Sequence, residues 1–216
     1  MDLFRAELDE IVNDYPRLNI VENGLQVFLS GELSIYDESI CLLDTYELEI
    51  HPASEYPYKF PIVYEIGSKI PRNIDWHIYE GKGNCCIKVM PEETIICLEG
   101  ITLKLFIEQQ LKPYLFNQTF RRENGYFINE RSHGVKGLIE YFSGILLTSD
   151  IKKIEYLLGY ILFKDELSRV ADCFCGSGRK YRKCHRDGYR LLSKIGREDL
   201  LLYLKAIMKH STLINK

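Results

Sequence analysis

Two groups of side chains in this 216-residue chain are suited to chemistry. The first is a pair of adjacent thiols, Cys85 and Cys86, set after Gly83-Asn84 and followed by Ile87. A free thiol titrates near about 8.5, so only a few per cent is thiolate at neutral pH, and that thiolate attacks acyl donors to give a thioester that an amine then converts to an amide. The second group is Cys173-Phe174-Cys175 with Cys184-His185: three thiols and an imidazole, with eight residues between Cys175 and Cys184. Zn2+ takes four such ligands tetrahedrally, and Gly176-Ser177-Gly178 lets the chain fold back between them without a steric cost. Four protein ligands leave no open coordination position, so Cys173, Cys175, Cys184 and His185 point to a structural zinc. Little apolar sequence surrounds the four, so metal binding is expected to supply much of the folding free energy there.

The seven cysteines also carry information about compartment. The opening Met1-Asp2-Leu3-Phe4-Arg5-Ala6-Glu7 has neither the basic nor the apolar region of a secretory signal, so a reducing, cytoplasmic setting is expected, with thiols used for chemistry or metal rather than disulfides. Cys41 and Cys97 carry no motif and are assigned to the core. The longest uncharged apolar run, Tyr156 to Phe163, is far below the roughly 20 residues of a membrane span, so no membrane role is expected.

Net charge is only -3, which gives no global electrostatic reason for a nucleic-acid or membrane partner. The distribution is uneven. Residues 1–65 hold fourteen acidic and three basic side chains, whereas residues 168–190 hold seven basic and two acidic. Arg179, Lys180, Arg182, Lys183 and Arg186 read either as a docking surface for an acidic protein or nucleic acid, or as an ordinary solvated rim.

The elements that must position these groups follow from periodicity. Leu3, Leu8, Ile11 and Val12 fall near helical spacing until Tyr15-Pro16 ends the pattern. Alternating β-branched and aromatic residues predict strands within 18–33, 46–50 and 60–66, with Asn23-Gly24 as a hairpin turn. From Gly67 to Glu93 regular signal disappears, with Pro71, Gly81, Gly83 and Pro91 as breakers, and a loop of that length in a compact domain is usually functional or disordered. Helical periodicity returns over 102–111, 135–147 and 151–167, and a leucine-rich helix is predicted over 191–208. Helices following a sheet define an α+β class, an antiparallel β-meander flanked by helices. The expected organisation is a domain over 1–150, a helical connector over 151–170, the zinc module over 171–190 and a C-terminal helix over 191–216. If Cys86 ends a strand on its exposed side, period-two alternation turns Cys85 towards the core. The alternative is that Cys85 is a second acceptor thiol; a disulfide between neighbours would be strained.

Two resemblances sharpen these readings. Cys173-Phe174-Cys175-Gly176-Ser177-Gly178-Arg179-Lys180-Tyr181-Arg182-Lys183-Cys184-His185 resembles, nearly residue for residue, the SEC-C zinc motif, which implies a portable docking module. Tyr56-Pro57-Tyr58-Lys59-Phe60-Pro61 resembles the Tyr-Pro-x-x-x-Pro signature of ubiquitin-conjugating enzymes, and Gly83-Asn84-Cys85-Cys86-Ile87 is similar to their Gly-x-Ile-Cys-Leu. Ile101-Thr102-Leu103 stands where that family's helix after the active site begins, and His133-Gly134-Val135-Lys136-Gly137-Leu138 resembles a helix of bacterial relatives. This likeness covers about the first 150 residues. It implies that Cys86 is the nucleophile of a thioester transferase, with Cys85 on the neighbouring apolar position.

The family's His-Pro-Asn is absent, and Asp75-Trp76-His77 occupies that region, so His77 is the candidate for orienting the incoming amine or donating to the oxyanion; otherwise it is a loop histidine packed on Trp76. The first helix is acidic at Glu7, Asp9, Glu10 and Asp14 where the family is usually basic, implying either a different activating enzyme or none. The implied partner is a protein with a C-terminal glycine, either a ubiquitin-like protein or a nucleotidyltransferase of the cGAS type in an antiphage defence operon. Competing readings are a catalytically inert adaptor of the same fold and, last, nucleic-acid binding through the basic zinc module.

Overall fold

The computed structural model describes residues 3–128 and 130–214. Two compact units emerge, Met1–Lys88 with Ile96–Glu130, and Val89–Ile95 with Arg131–Lys216.

The first unit is built on a four-stranded antiparallel meander in the order β1 (Leu18–Asn23), β2 (Gln26–Tyr36), β3 (Leu42–His51) and β4 (Ile62–Glu65). Asn23 pairs with Gln26, so the two-residue turn is Gly24-Leu25 with Gly24 at positive φ, one position beyond the Asn23-Gly24 turn expected. Leu29, Leu33 and Ile35 of β2 lie opposite Ile50, Tyr46 and Asp44 of β3, and Ile50 lies opposite Val63 of β4. These residues share one face because side chains alternate along a strand, and that face is the buried one. Gly31 is obligatory in this ladder: at φ +144 a Cβ would stand 2.1 Å from the Arg17 carbonyl oxygen.

Helix α1 (Leu3–Asp14) adds Phe4, Leu8 and Ile11 to the same core. Its Glu7 carboxylate accepts the Tyr56 hydroxyl at 2.7 Å and the Leu103 amide at 2.5 Å, while Glu10 and Asp14 pair with Lys104. Three of the four acidic residues on this helix are therefore used within the unit. Helix α3 (Leu103–Phe106), a π turn over Ile107–Leu111 and helix α4 (Lys112–Asn124) run on without interruption and bury Phe106, Ile107, Leu111 and Leu115 in this core. A helix ending at 111 was expected. The chain continues because Pro113 lies in the first turn of α4, where the π turn before it removes the need for an ordinary i→i−4 bond.

Helix α2 (Met90–Leu98) was also unexpected, because Pro91 reads as a breaker. Pro91 instead occupies the helix's first turn, where a missing N–H costs nothing.

The second unit is helical. Helices α5 (Gly134–Leu146), α6 (Ile151–Phe163), α7 (Arg186–Leu192) and α8 (Arg197–Ile214) close around Phe142, Leu146, Ile154, Leu157, Leu158, Leu192 and Ile207. The boundaries differ from those expected. α5 packs in this unit rather than with the meander, and α6, expected as a connector, is its central helix with Ile154, Leu157, Leu158, Ile161 and Leu162 buried. The single C-terminal helix expected over 191–208 is two helices, parted at residues 193–196 where Gly196 weakens helical continuity. Gly137 of the His-Gly segment is required by packing, since a Cβ would meet the Ser132 carbonyl oxygen at 2.1 Å. Among the described residues no helix is long and apolar enough to cross a membrane.

Candidate functional site

The segment carrying the paired cysteines extends the free edge of β4: the Cys85 amide donates to the Val63 carbonyl at 2.8 Å. It also folds on itself. Ile78 pairs with Cys85 in an antiparallel bridge, Cys86 N–H donates to the His77 carbonyl at 2.7 Å and Tyr79 N–H to Asn84 at 2.9 Å. Alternation then sends the two thiols to opposite sides. Cys85 is 6% exposed and joins the sheet core, and Cys86 is half-buried. Burial pushes the Cys85 thiol up to about 12, and the Glu65 carboxylate adds to it. No disulfide joins the described cysteines, and Cys41 is exposed rather than in the core.

His77 closes the short turn Ile74–Trp76, whose Trp76 amide is capped by the Asn73 side chain at 3.2 Å. His77 takes a left-handed backbone, φ 53 and ψ 41, a region uncommon outside glycine and enriched in histidine, asparagine and aspartate. Its ring meets Phe127 edge-on at 4.8 Å, and Trp76 shares that neighbour at 6.2 Å. The structure thus brings His77 and Cys86 together through one backbone hydrogen bond, and puts Phe127 where Trp76 had been expected.

No sequence motif marks the face of α4 that lies against this loop. Tyr114 Oη donates to the His77 carbonyl at 3.0 Å and Gln118 Nε2 to the Trp76 carbonyl at 2.9 Å; Arg121 donates to the Asp75 carbonyl. The Arg121 guanidinium also lies over Trp76 at 4.4 Å and Phe127 at 4.5 Å, within cation–π range. The i, i+4, i+7 spacing of Tyr114, Gln118 and Arg121 was a readable signal, but only for a helix known to continue past Pro113.

In the second unit Cys173, Cys175, Cys184 and His185 place one ligand atom each within 4.8 Å of one another. A tetrahedral zinc with its usual bond lengths needs S···S edges of about 3.8 Å and S···N edges of about 3.6 Å. The Cys175–Cys184 sulfurs are 3.6 Å apart, and His185 Nδ1 lies 3.3 Å from Cys173 and 3.2 Å from Cys184. The donor set fits, and these three edges lie within about 0.4 Å of those values. The remaining imidazole nitrogen, Nε2, lies 2.8 Å from the Leu146 carbonyl oxygen. A carbonyl only accepts, so Nε2 carries the proton and Nδ1 keeps its lone pair for a metal, the usual arrangement behind a histidine ligand.

The four residues are also embedded. Phe174 stacks on Tyr160 at 4.1 Å and 0°, Tyr189 Oη donates to the Lys164 carbonyl at 2.8 Å, and Tyr181 is fully buried. The module, expected to lack an apolar core, shares that of the second unit. Of its basic residues, Lys180 pairs with Asp172 and Arg186 with Glu166, whereas Arg179, Arg182 and Lys183 are exposed and make no ion pair among the described residues.

Fold and site define an α+β protein with a four-stranded antiparallel sheet and a small Cys/His site fit for a metal ion. A family model described as the SEC-C motif matches residues 171–187. No curated protein and no solved structure matches the chain.

Proposed function

We propose that the chain is a ubiquitin-conjugating-like acyl transferase that carries a protein C-terminus on Cys86 and passes it to an amine, with zinc held by Cys173, Cys175, Cys184 and His185. The observation that carries this reading is the register at the edge of the meander: Cys86 on the open side beside His77, with Cys85 turned into the core. The helix–meander–loop–helix order of the first unit and the anchoring of Tyr56 to Glu7 support it further.

The reaction has two steps. The Cys86 thiolate attacks the C-terminal carbonyl of an activated donor, a thioester or acyl adenylate supplied by an activating partner. A C–S bond forms and the donor's thiolate or adenylate leaves. An amine then adds to the thioester carbonyl, the C–N bond forms, Cys86 departs as thiolate and the amine's proton passes to solvent or a nearby base. His77 is assigned to orienting that amine or donating to the oxyanion, where losing one donor costs about 100- to 1,000-fold. The zinc shapes the second unit and takes no part in these steps. Arg179, Arg182 and Lys183 offer an acidic protein a docking surface.

The test uses a peptide α-thioester ending in glycine, mixed with the full chain and followed by non-reducing intact mass spectrometry. The expected adduct forms in the wild type and in Cys85→Ala, is absent in Cys86→Ala and is released by added thiol. An adduct that survives Cys86→Ala would move the nucleophile elsewhere. No adduct from any donor, with Cys86 still open to alkylation, would favour the inert adaptor.

A further inference from the structure

We infer that α4 is the positioning element of the reaction loop, with Tyr114, Gln118 and Arg121 holding three successive carbonyls so that His77 is kept beside Cys86; this rests on Cys86 being the acyl carrier. The three positions, at i, i+4 and i+7, fall within about 60° of one another around the helix axis, so they present a single face. That face meets the carbonyls of His77, Trp76 and Asp75 in reverse order, one donor to each. A face serving only to cover the loop would be apolar, as Leu111 and Leu115 are on the core side of the same helical run.

Gln118 shows what this arrangement costs. It is 2% exposed, and its Oε1 has no hydrogen-bond partner, a desolvation cost that an apolar residue would avoid. What the amide supplies is the Nε2 donor to Trp76. The His77 carbonyl is shared: it accepts from both Tyr114 Oη at 3.0 Å and Cys86 N–H at 2.7 Å. Tyr114 is therefore joined to the Cys86 backbone through a single oxygen atom. Its hydroxyl stays a proton donor across physiological pH, because burial raises its ionisation well above the usual range. His77 takes a left-handed backbone as the cap of the Ile74–Trp76 turn, its own N–H bonded to the Ile74 carbonyl. The three carbonyl bonds fix the loop around it, and the Arg121 guanidinium adds to this by lying over both Trp76 and Phe127.

Tyr114, Gln118 and Arg121 are positioning residues, since none is required to touch substrate. The test uses the full chain with Tyr114→Phe, which removes one oxygen and keeps the ring, and Gln118→Met, which keeps length and removes the donor. Arg121→Lys, nearer the surface, serves if either variant folds poorly. Two readouts need no acyl donor: amide hydrogen exchange at Cys86 and across residues 74–79, and the pH–rate profile of Cys86 alkylation by iodoacetamide. We expect Tyr114→Phe to speed exchange at the Cys86 amide about tenfold, as for loss of one buried hydrogen bond. The Cys86 pH–rate profile is expected to move, while exchange in β2 and β3 stays at the wild-type rate. Unchanged Cys86 exchange and an unchanged profile in both Tyr114→Phe and Gln118→Met overturn the inference. So does a shift shared equally by β2 and β3, which marks general loosening. If the loop responds as expected but the wild type never accepts an acyl group, positioning stands and the transferase reading fails. If the wild type is acylated and both variants are acylated at the same rate, the transferase reading stands and positioning fails.

Discussion

The two adjacent thiols are expected to differ in reactivity by far more than their proximity suggests, and the difference can be worked from burial. With its pKa pushed up to about 12, Cys85 at pH 7.5 is ionised to only about 3 parts in 100,000, against about one part in ten for an ordinary thiol near 8.5. That is a deficit of roughly 3,000-fold. A more basic thiolate is intrinsically more nucleophilic, with a Brønsted slope of about 0.4–0.5, which returns roughly 40-fold over those 3.5 units. Ionisation alone thus leaves Cys85 about a hundredfold slower than an unhindered thiol, before the barrier of its 6% exposure is counted. The assay is timed alkylation of the zinc-loaded chain by iodoacetamide, with peptide mapping to separate the two positions by fragment ions. Cys86 labels first, and Cys86→Ala abolishes the fast phase in that peptide. The Cys85 rate climbs about tenfold per pH unit to beyond pH 10, because its folded ionisation lies above that range. Linkage carries the same sign: a thiol raised on folding contributes stability below about pH 8.5 that is lost as pH rises towards 12. Labelling of Cys85 within tenfold of a small-molecule thiol at pH 7.5, without global unfolding, would refute the inward register and with it the distinction between the two cysteines.

Removing metal with a chelator is expected to act on the second unit, because His185 links the ligand set to the end of α5 through the Leu146 carbonyl. Amide exchange should rise in 134–147 and 181–192 while β2 and β3 keep their protection, and the melting temperature of the helical unit should fall by more than about 10 °C; equal loss of protection in the meander would contradict this. Asp44→Asn should destabilise the first unit by about 2–3 kcal/mol in denaturant unfolding, since the carboxylate accepts from Lys69, Arg122, Thr119 and the Thr45 amide but both cations are partly solvated. Although burial opposes its charge, those donors hold Asp44 well below the usual carboxylate range, so its contribution is complete above about pH 4 and fades as pH falls below that. A pH–stability curve of Asp44→Asn parallel to wild type down to pH 2 would count against it.

Much of the first unit was legible because its signals are local. Asn23-Gly24 marks the hairpin to within one residue of its Gly24-Leu25 turn, and the alternation from Val27 to Ile35 needs only one buried face to be read. The four metal ligands were legible for a related reason: spacing and residue type together leave few other uses. What escaped were features whose meaning depends on partners distant in sequence. Pro91 looks like a breaker until a helix is seen to start at it, and the pattern ending at 111 gives no sign of the π turn that carries the helix on past Pro113. Tyr114, Gln118 and Arg121 carry no motif, and their donors acquire a purpose only when Asp75, Trp76 and His77 arrive from about forty residues away.

The same dependence alters how the metal motif is to be understood. Cys173 to His185 reads as a portable module, yet its histidine proton is held by Leu146, its Phe174 ring by Tyr160, and Gly188 has Ile145 O only 3.0 Å from where a Cβ would lie. A module that could be cut away without consequence would keep its second nitrogen for water and its aromatics for itself. Here α5 and α6 supply both, so the metal site and the helical unit around it have to be tested as one folding entity, with a metal-ligand variant such as His185→Ala expected to loosen α5 as well as to lose the ion. Loss of the ion with α5 protection unchanged would return the motif to the status of an appendage.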